Sequence, residues 1–166
     1  MEPHELLAVT NGQALRFFFE RLKDLNEDDE VPERELLYNA SILAHFASTS
    51  TASDAQFPSC PTSLLTIFNV FVLDRSHHAD PEILEAAGSQ CLLLTGFFYD
   101  QLKERHNVRW YAALGAAFFD QAAHQGTDRS RSHMMEIMAA RFDYWRRRQV
   151  RLARELRDLP KLISIH

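Results

Sequence analysis

Met138, Phe142, Trp145, Gln149, Leu152, Leu156 and Leu159 follow one another at alternating intervals of four and three residues. A helix of about 3.6 residues per turn brings such a set to one face, where a strand would scatter it over both. The spacing is that of a coiled-coil or bundle seam. It predicts one long helix from about Arg131 to Leu159, stopped by Pro160. A helix of that length with one apolar face needs other helices to cover it, so the expected architecture is all-α.

The rest of the chain supplies them. Residues 4–24 carry Leu7, Leu15, Phe18, Phe19 and Leu22 at helical spacing, with Leu25 just beyond, and Gly12 weakens that helix. An acidic stretch, Asn26 to Glu30, forms a solvated link to a second helix, Pro32 to Ser48, whose inner side is Leu36, Leu37, Ala40, Leu43, Ala44 and Ala47. Residues 49–61 are rich in serine, threonine and proline and read as an irregular, mobile loop. Leu64 to Leu73 is apolar all round and reads as a buried central helix.

Asp80-Pro81-Glu82 combines a capping acid, a proline suited to the first turn and a glutamate, and opens a helix expected to reach Arg105. Gly88 and Gly96 lie near one face of it, where they let a neighbouring backbone come close. Asn107 caps a further helix to His124 with an inner stripe of Tyr111, Ala112, Gly115, Phe118, Phe119 and Ala122. Gly126 ends it, and Asp128 or Ser132 caps the last. The expectation is a single-domain bundle of about six helices over residues 1–166, centred on 64–73 and 82–105.

Composition narrows the functional classes. The chain has 166 residues, enough for one full core, with five glycines and six prolines, too few for a loop-rich β fold. Its first residues carry acid and no basic, apolar leader, and no apolar run approaches the roughly 20 residues that cross a bilayer, which predicts a soluble cytoplasmic protein. Two cysteines, Cys60 and Cys91, make neither a disulfide framework nor a closed zinc site. Cys91 reads as a core residue and Cys60 as part of a proline-marked loop.

Eight histidines invite a metal reading. Asp120 with His124 and His133 with Glu136 sit one turn apart, and Asp74 with His77 likewise. The first pair falls away from the inner stripe and points to solvent, as does His45. Glu-x-x-His, the signature of carboxylate-bridged di-metal bundles, is absent. So are a nucleophile elbow, His-Glu-x-x-His and phosphate-cradling glycine loops. No catalytic residue, metal site or cofactor is therefore assigned.

Charge is distributed unevenly: residues 1–60 are net −7, 61–127 net −3 and 128–166 net +5. Arg141, Arg146, Arg147, Arg148, Arg151, Arg154 and Arg157 crowd the last helix. They suit phosphates, but the chain as a whole is acidic, with an isoelectric point near 5.9, so intramolecular pairing is the expected use and nucleic-acid binding a third-ranked one.

Gly88-Ser89-Gln90-Cys91, running through Leu92 to Gly96-Phe97-Phe98-Tyr99 and followed by Leu102, Arg105, Val108, Trp110-Tyr111 and Leu114-Gly115, resembles a family of bacterial all-helical cytoplasmic proteins with no assigned activity. The resemblance covers residues 84–123. It implies an all-helical bacterial cytoplasmic protein and nothing about chemistry. The chain departs from that pattern at Ser89, where an acid is usual, and at Trp110, where a tyrosine is usual.

Two functional expectations follow. The first is a non-catalytic interaction or regulatory module acting as a homodimer, with Met138, Phe142, Trp145, Gln149, Leu152 and Leu156 as the partner-binding seam, since methionine and aromatic side chains beside arginine are enriched at interfaces. The second is a small-molecule or cofactor-binding protein, possibly an enzyme, with a pocket among Phe97, Phe98, Tyr111, Phe118 and Phe119.

Overall fold

The computed structural model describes residues 11–27, 30–52 and 80–164, with side chains for all of these except 11, 49–52 and 158–164. It is all-α. Seven helices occur among the described residues: α1 (Asn11–Leu25), α2 (Glu33–Ala52), α3 (Pro81–Thr95), α4 (Tyr99–Leu102), α5 (Val108–Gln125), α6 (Arg129–Ala140) and α7 (Phe142–Ser164). The expected helix at Leu64–Leu73, the Asp74/His77 pair and Cys60 lie outside the described residues. No described helix is long and apolar enough to cross a membrane.

The chain divides into two compact units, one of residues 1–61 with 151–166 and one of residues 62–150. In the first, α1 packs along α2. Ala14, Phe18, Leu22 and Leu25 are buried, as are Leu36, Ala40, Leu43, Ala44 and Ala47, while Leu37 is 41% exposed and leaves the expected inner side. Asn26 closes α1 by donating its Nδ2 to the Leu22 carbonyl at 2.6 Å. Asn26 is itself buried, where the sequence placed it in a solvated link. α2 runs to Ala52, four residues into the segment expected to be irregular. Serine and threonine disfavour a helix interior by only a few tenths of a kcal/mol each, too little to end it there.

In the second unit α3 packs on α5, and α5 on α6. Local signals account for the helix starts. Asp80 Oδ1 accepts from the Glu82 N–H at 2.9 Å, Asn107 Oδ1 from the Trp110 N–H at 3.1 Å, and Asp128 Oδ1 from the N–H of Ser130 at 2.9 Å and of Arg131 at 3.4 Å. The core is formed by Leu84, Cys91, Leu92, Leu94, Phe118, Phe119, Met138 and Trp145, each no more than 1% exposed. Full burial of one such large apolar side chain contributes roughly 1.5–3 kcal/mol.

Close approach of α3, α5 and α7 converges on Gly115. A Cβ there would lie 2.6 Å from Cys91 Cβ and 2.6 Å from Phe142 Cζ, so both neighbours occupy the space that its missing side chain leaves. Gly88 accepts the Phe119 ring, 3.0 Å from where its Cβ would be. It therefore admits a side chain and not, as its position suggested, a backbone.

Two expected helices are interrupted. The one opened at Asp80 stops at Thr95, with Gly96 at φ −107°, ψ −81°. The one expected from Arg131 is two, divided at Arg141, where φ −109° and ψ 20° depart from helical values. Helical hydrogen bonds flank that break, from the Arg141 N–H to Ile137 and from the Trp145 N–H to Arg141. A single residue off the helix leaves most of the seam in register. At the far end α7 passes Pro160 and reaches Ser164. A proline removes one hydrogen bond from a helix and crowds the preceding turn, which interrupts a helix only when neither loss is absorbed.

Candidate functional site

The side chains expected to form the partner seam are largely enclosed by the chain itself. Met138, Trp145, Gln149 and Leu152 are 0% exposed and Phe142 3%; Leu156 is half-buried. In this conformation a partner meets little of that stripe. Phe118 and Phe119 are likewise in the core, and Phe98 is 3% exposed, while Phe97 and Tyr111 are half-buried. Phe97 and Phe98 meet edge to face at 5.3 Å, and Phe119 lies 6.1 Å from Phe142.

A cleft of about 240 Å³ opens elsewhere, between the start of α3, the end of α5 and the start of α6, lined by Pro81, Glu82, Gly126, Asp128, Ser132 and Met135 among others. None of the five expected pocket aromatics lines it. Arg131 Nη2 crosses it to Glu85 Oε1 at 2.6 Å. That volume is below the several hundred Å³ of usual ligand sites, and its one base, Arg131, is already paired with Glu85. The pair ties α3 to α6; it is a surface ion pair, of the class that contributes about 0–1 kcal/mol.

The corner between α4 and α5 sets an exposed aromatic among exposed charged residues. After the single turn of α4, Lys103, Glu104, Arg105 and His106 are exposed, Asn107 caps α5, and Arg109 and Trp110 point outward from its first turn. Trp110 is 41% exposed, one of two large apolar side chains so placed among the described residues. Its ring meets Tyr111 edge-on at 4.8 Å and 90°, which fixes the orientation of a large rigid group. Tyr99 carries Lys103 at 5.8 Å and Arg146 at 5.5 Å over its ring. Burial, and secondarily Cys91, push the Tyr111 hydroxyl pKa up.

Arg141 and the first arginines of α7 make contacts within the chain. Arg146 and Arg147 pair with Asp143 at 3.1 and 2.8 Å. Arg141 and Arg148 lie over the Tyr144 ring at 4.3 and 4.8 Å. Arg146 also donates to the Thr95 carbonyl at 3.2 Å. Such contacts are individually weak, about 0.5–1 kcal/mol for an exposed cation over a ring.

Asp120 and His124 are exposed, as the helix register predicted, and so are His45 and the His133–Glu136 pair. His124 Nδ1 donates to the Asp120 carbonyl at 2.8 Å and lies 3.8 Å from its carboxylate. His133 lies 3.8 Å from Glu136. Among the described residues no three of His, Cys, Asp and Glu converge so as to hold a metal ion. Cys91 is a free, buried thiol, and burial pushes its pKa up to about 12. It stays protonated at neutral pH, and the thiolate is the nucleophilic form.

Sequence reasoning passed over Trp110, although the signal was present: the α5 stripe of Tyr111, Gly115, Phe118 and Phe119 leaves Trp110 on another face. It also passed over the link between α7 and the end of α3, for which local sequence carries no signal. No family model, curated protein or solved structure matches the chain.

Proposed function

We propose that the protein is a non-catalytic interaction module that associates with a second copy of itself through the α4–α5 corner. The observation that supports this reading is Trp110, held edge-on by Tyr111 with 41% of its surface in water. Exposed tryptophan beside arginine is the combination enriched among the residues that dominate interface energetics. The second copy is chosen over an unrelated partner because the corner itself carries both signs of charge, Glu104 beside Lys103, Arg105 and Arg109, all exposed. That mixture lets two copies related by a two-fold axis set acid against base. The stripe from Met138 to Leu152 is the less suitable surface, since its side chains are already in the core.

The two tryptophans give a direct test, because Trp145 is 0% exposed and Trp110 is not. In sedimentation velocity over a concentration series, the wild-type protein should be a dimer and Trp110→Glu a monomer of unchanged helix content. The emission of wild type should shift to the blue as the dimer forms. A wild type that stays monomeric, or a Trp110→Glu variant that dimerises as well as wild type, overturns the reading.

A further inference from the structure

The end of α3 is built from residues far apart in the chain. After Thr95 the Gly96 backbone leaves helical geometry, the Phe98 N–H reaches back five residues to Leu93 at 2.9 Å, and the Tyr99 N–H bonds Gly96 at 3.1 Å. A five-residue reach is the bonding of a π-type turn, a form that recurs where a helix is locally constrained. It frees the Thr95 carbonyl, which a regular helix would give to Tyr99. A glycine does not by itself demand the break, since Gly88 and Gly115 sit within α3 and α5 without one.

Two side chains of α7, three residues apart and so on one face, take up what the break frees. Arg146 Nη1 donates to the Thr95 carbonyl at 3.2 Å and lays its guanidinium 5.5 Å from the Tyr99 ring centre. Gln149 Oε1 accepts from the Phe97 N–H at 3.3 Å. The same oxygen, with Gln149 Cβ, stands 2.9 Å from where a Gly96 Cβ would be, and the Leu92 carbonyl oxygen stands at 2.8 Å, so no larger residue fits at 96 while the break and Gln149 are in place. Gln149 is 0% exposed and its Nε2 has no partner. An unsatisfied buried amide opposes folding where an apolar side chain of the same length would not, and groups of that kind are associated with specifying one arrangement over another.

We infer that Gln149, assisted by Arg146, is a conformational latch: it holds α3 broken after Thr95 and thereby fixes how α4 and the Trp110 corner leave the helix. Without the Gln149 oxygen, residues 96–99 close into continuous helix. Arg146 and Gln149 are positioning residues for the corner. The latch goes beyond the interaction reading, and its test needs no partner: a monomeric wild type would overturn dimerisation and leave the latch standing.

The test compares full-length wild type, Gln149→Met, which keeps the length of the side chain, and the double variant Gly96→Ala with Gln149→Ala, which fills the space Gln149 vacates with a better helix former. Cα chemical shifts of residues 96–98 should move to helical values in both variants. Amide exchange at Phe97 in Gln149→Met should change by about tenfold or more while Phe118 and Phe119 keep their protection. Gly96→Ala alone should be the least stable of the set, because its methyl meets Gln149 and, while the break persists, the Leu92 carbonyl as well. Shifts at 96–98 that stay as in wild type in the folded variants would overturn the latch. Failure of both variants to fold would also overturn it, by making Gln149 an ordinary member of the core.

Discussion

The two ends of α3 are fixed in opposite ways. At its start, Asp80, Pro81 and Glu82 do the work among themselves, with the Asp80 carboxylate accepting from an N–H two residues on. At its finish, the partners of Thr95 and Phe97 come from 51 and 52 residues away. A local device is written in adjacent letters and is exposed to water. A distant one is written nowhere locally, is part-buried, and depends on α7 packing in one register. The comparison teaches that the distant contacts should carry the larger energies and the local cap the smaller one.

Gly115 tests the first half. It is the point where α3, α5 and α7 come closest, and a methyl group there would lie 2.6 Å from both Cys91 Cβ and Phe142 Cζ. Neither is the free end of a flexible chain, since Cys91 is 0% and Phe142 3% exposed. Gly115→Ala should therefore destabilise the protein by about 3 kcal/mol through overpacking, even though alanine is the better helix former. Urea denaturation measures it as a fall in the midpoint at unchanged slope. A cost below that of losing the Asp80 cap would break the comparison.

Asp80→Ala removes the local device and should cost about 1 kcal/mol, the usual loss on removing a capping side chain. Asp80→Asn should keep most of it, because the amide oxygen accepts the same hydrogen bond. If asparagine were as poor as alanine, the charge of Asp80 against the helix dipole, and not its acceptor, would be the active element at this end.

What was legible in the sequence follows the same division. The caps at Asp80, Asn107 and Asp128, the end of α5 at Gly126 and the exposure of His124 all rest on spacings of four residues or fewer, and they can be seen in the sequence. The break after Thr95 is met by partners on α7, which local sequence does not announce, and the structure gives no physical account of the one at Arg141. The stripe from Met138 to Leu156 was legible as a stripe, but an apolar face looks the same in sequence whether its own chain or a partner covers it. Burial of Trp145 and Gln149 within the chain comes from an arrangement that periodicity does not encode. The candidate surface at Trp110 was half legible: the α5 pattern excludes that residue from the core without saying what it is for.

A contact that is both local and exposed should have the smallest effect, and His124 is that case. Its pKa is raised, first by the hydrogen bond from Nδ1 to the Asp120 carbonyl, then by the Asp120 carboxylate and more weakly by Glu136, against a small opposing effect of desolvation. A raised value means that the charged imidazole is favoured in the folded state. Its contribution is therefore complete below the unfolded value of about 6.5 and fades as pH rises through the folded value above it. With 72% of the imidazole and 60% of the carboxylate exposed, water screens the pair, so the titration and not the denaturation curve is the place to see it. Monitored by NMR, His124 should titrate above the ordinary histidine value in wild type, and Asp120→Asn should bring its midpoint only part of the way down. The backbone bond, which that variant keeps, is the larger cause. A midpoint that fell all the way would show the carboxylate to be the stronger influence, and would place charge above hydrogen bonding among the local contacts of this fold.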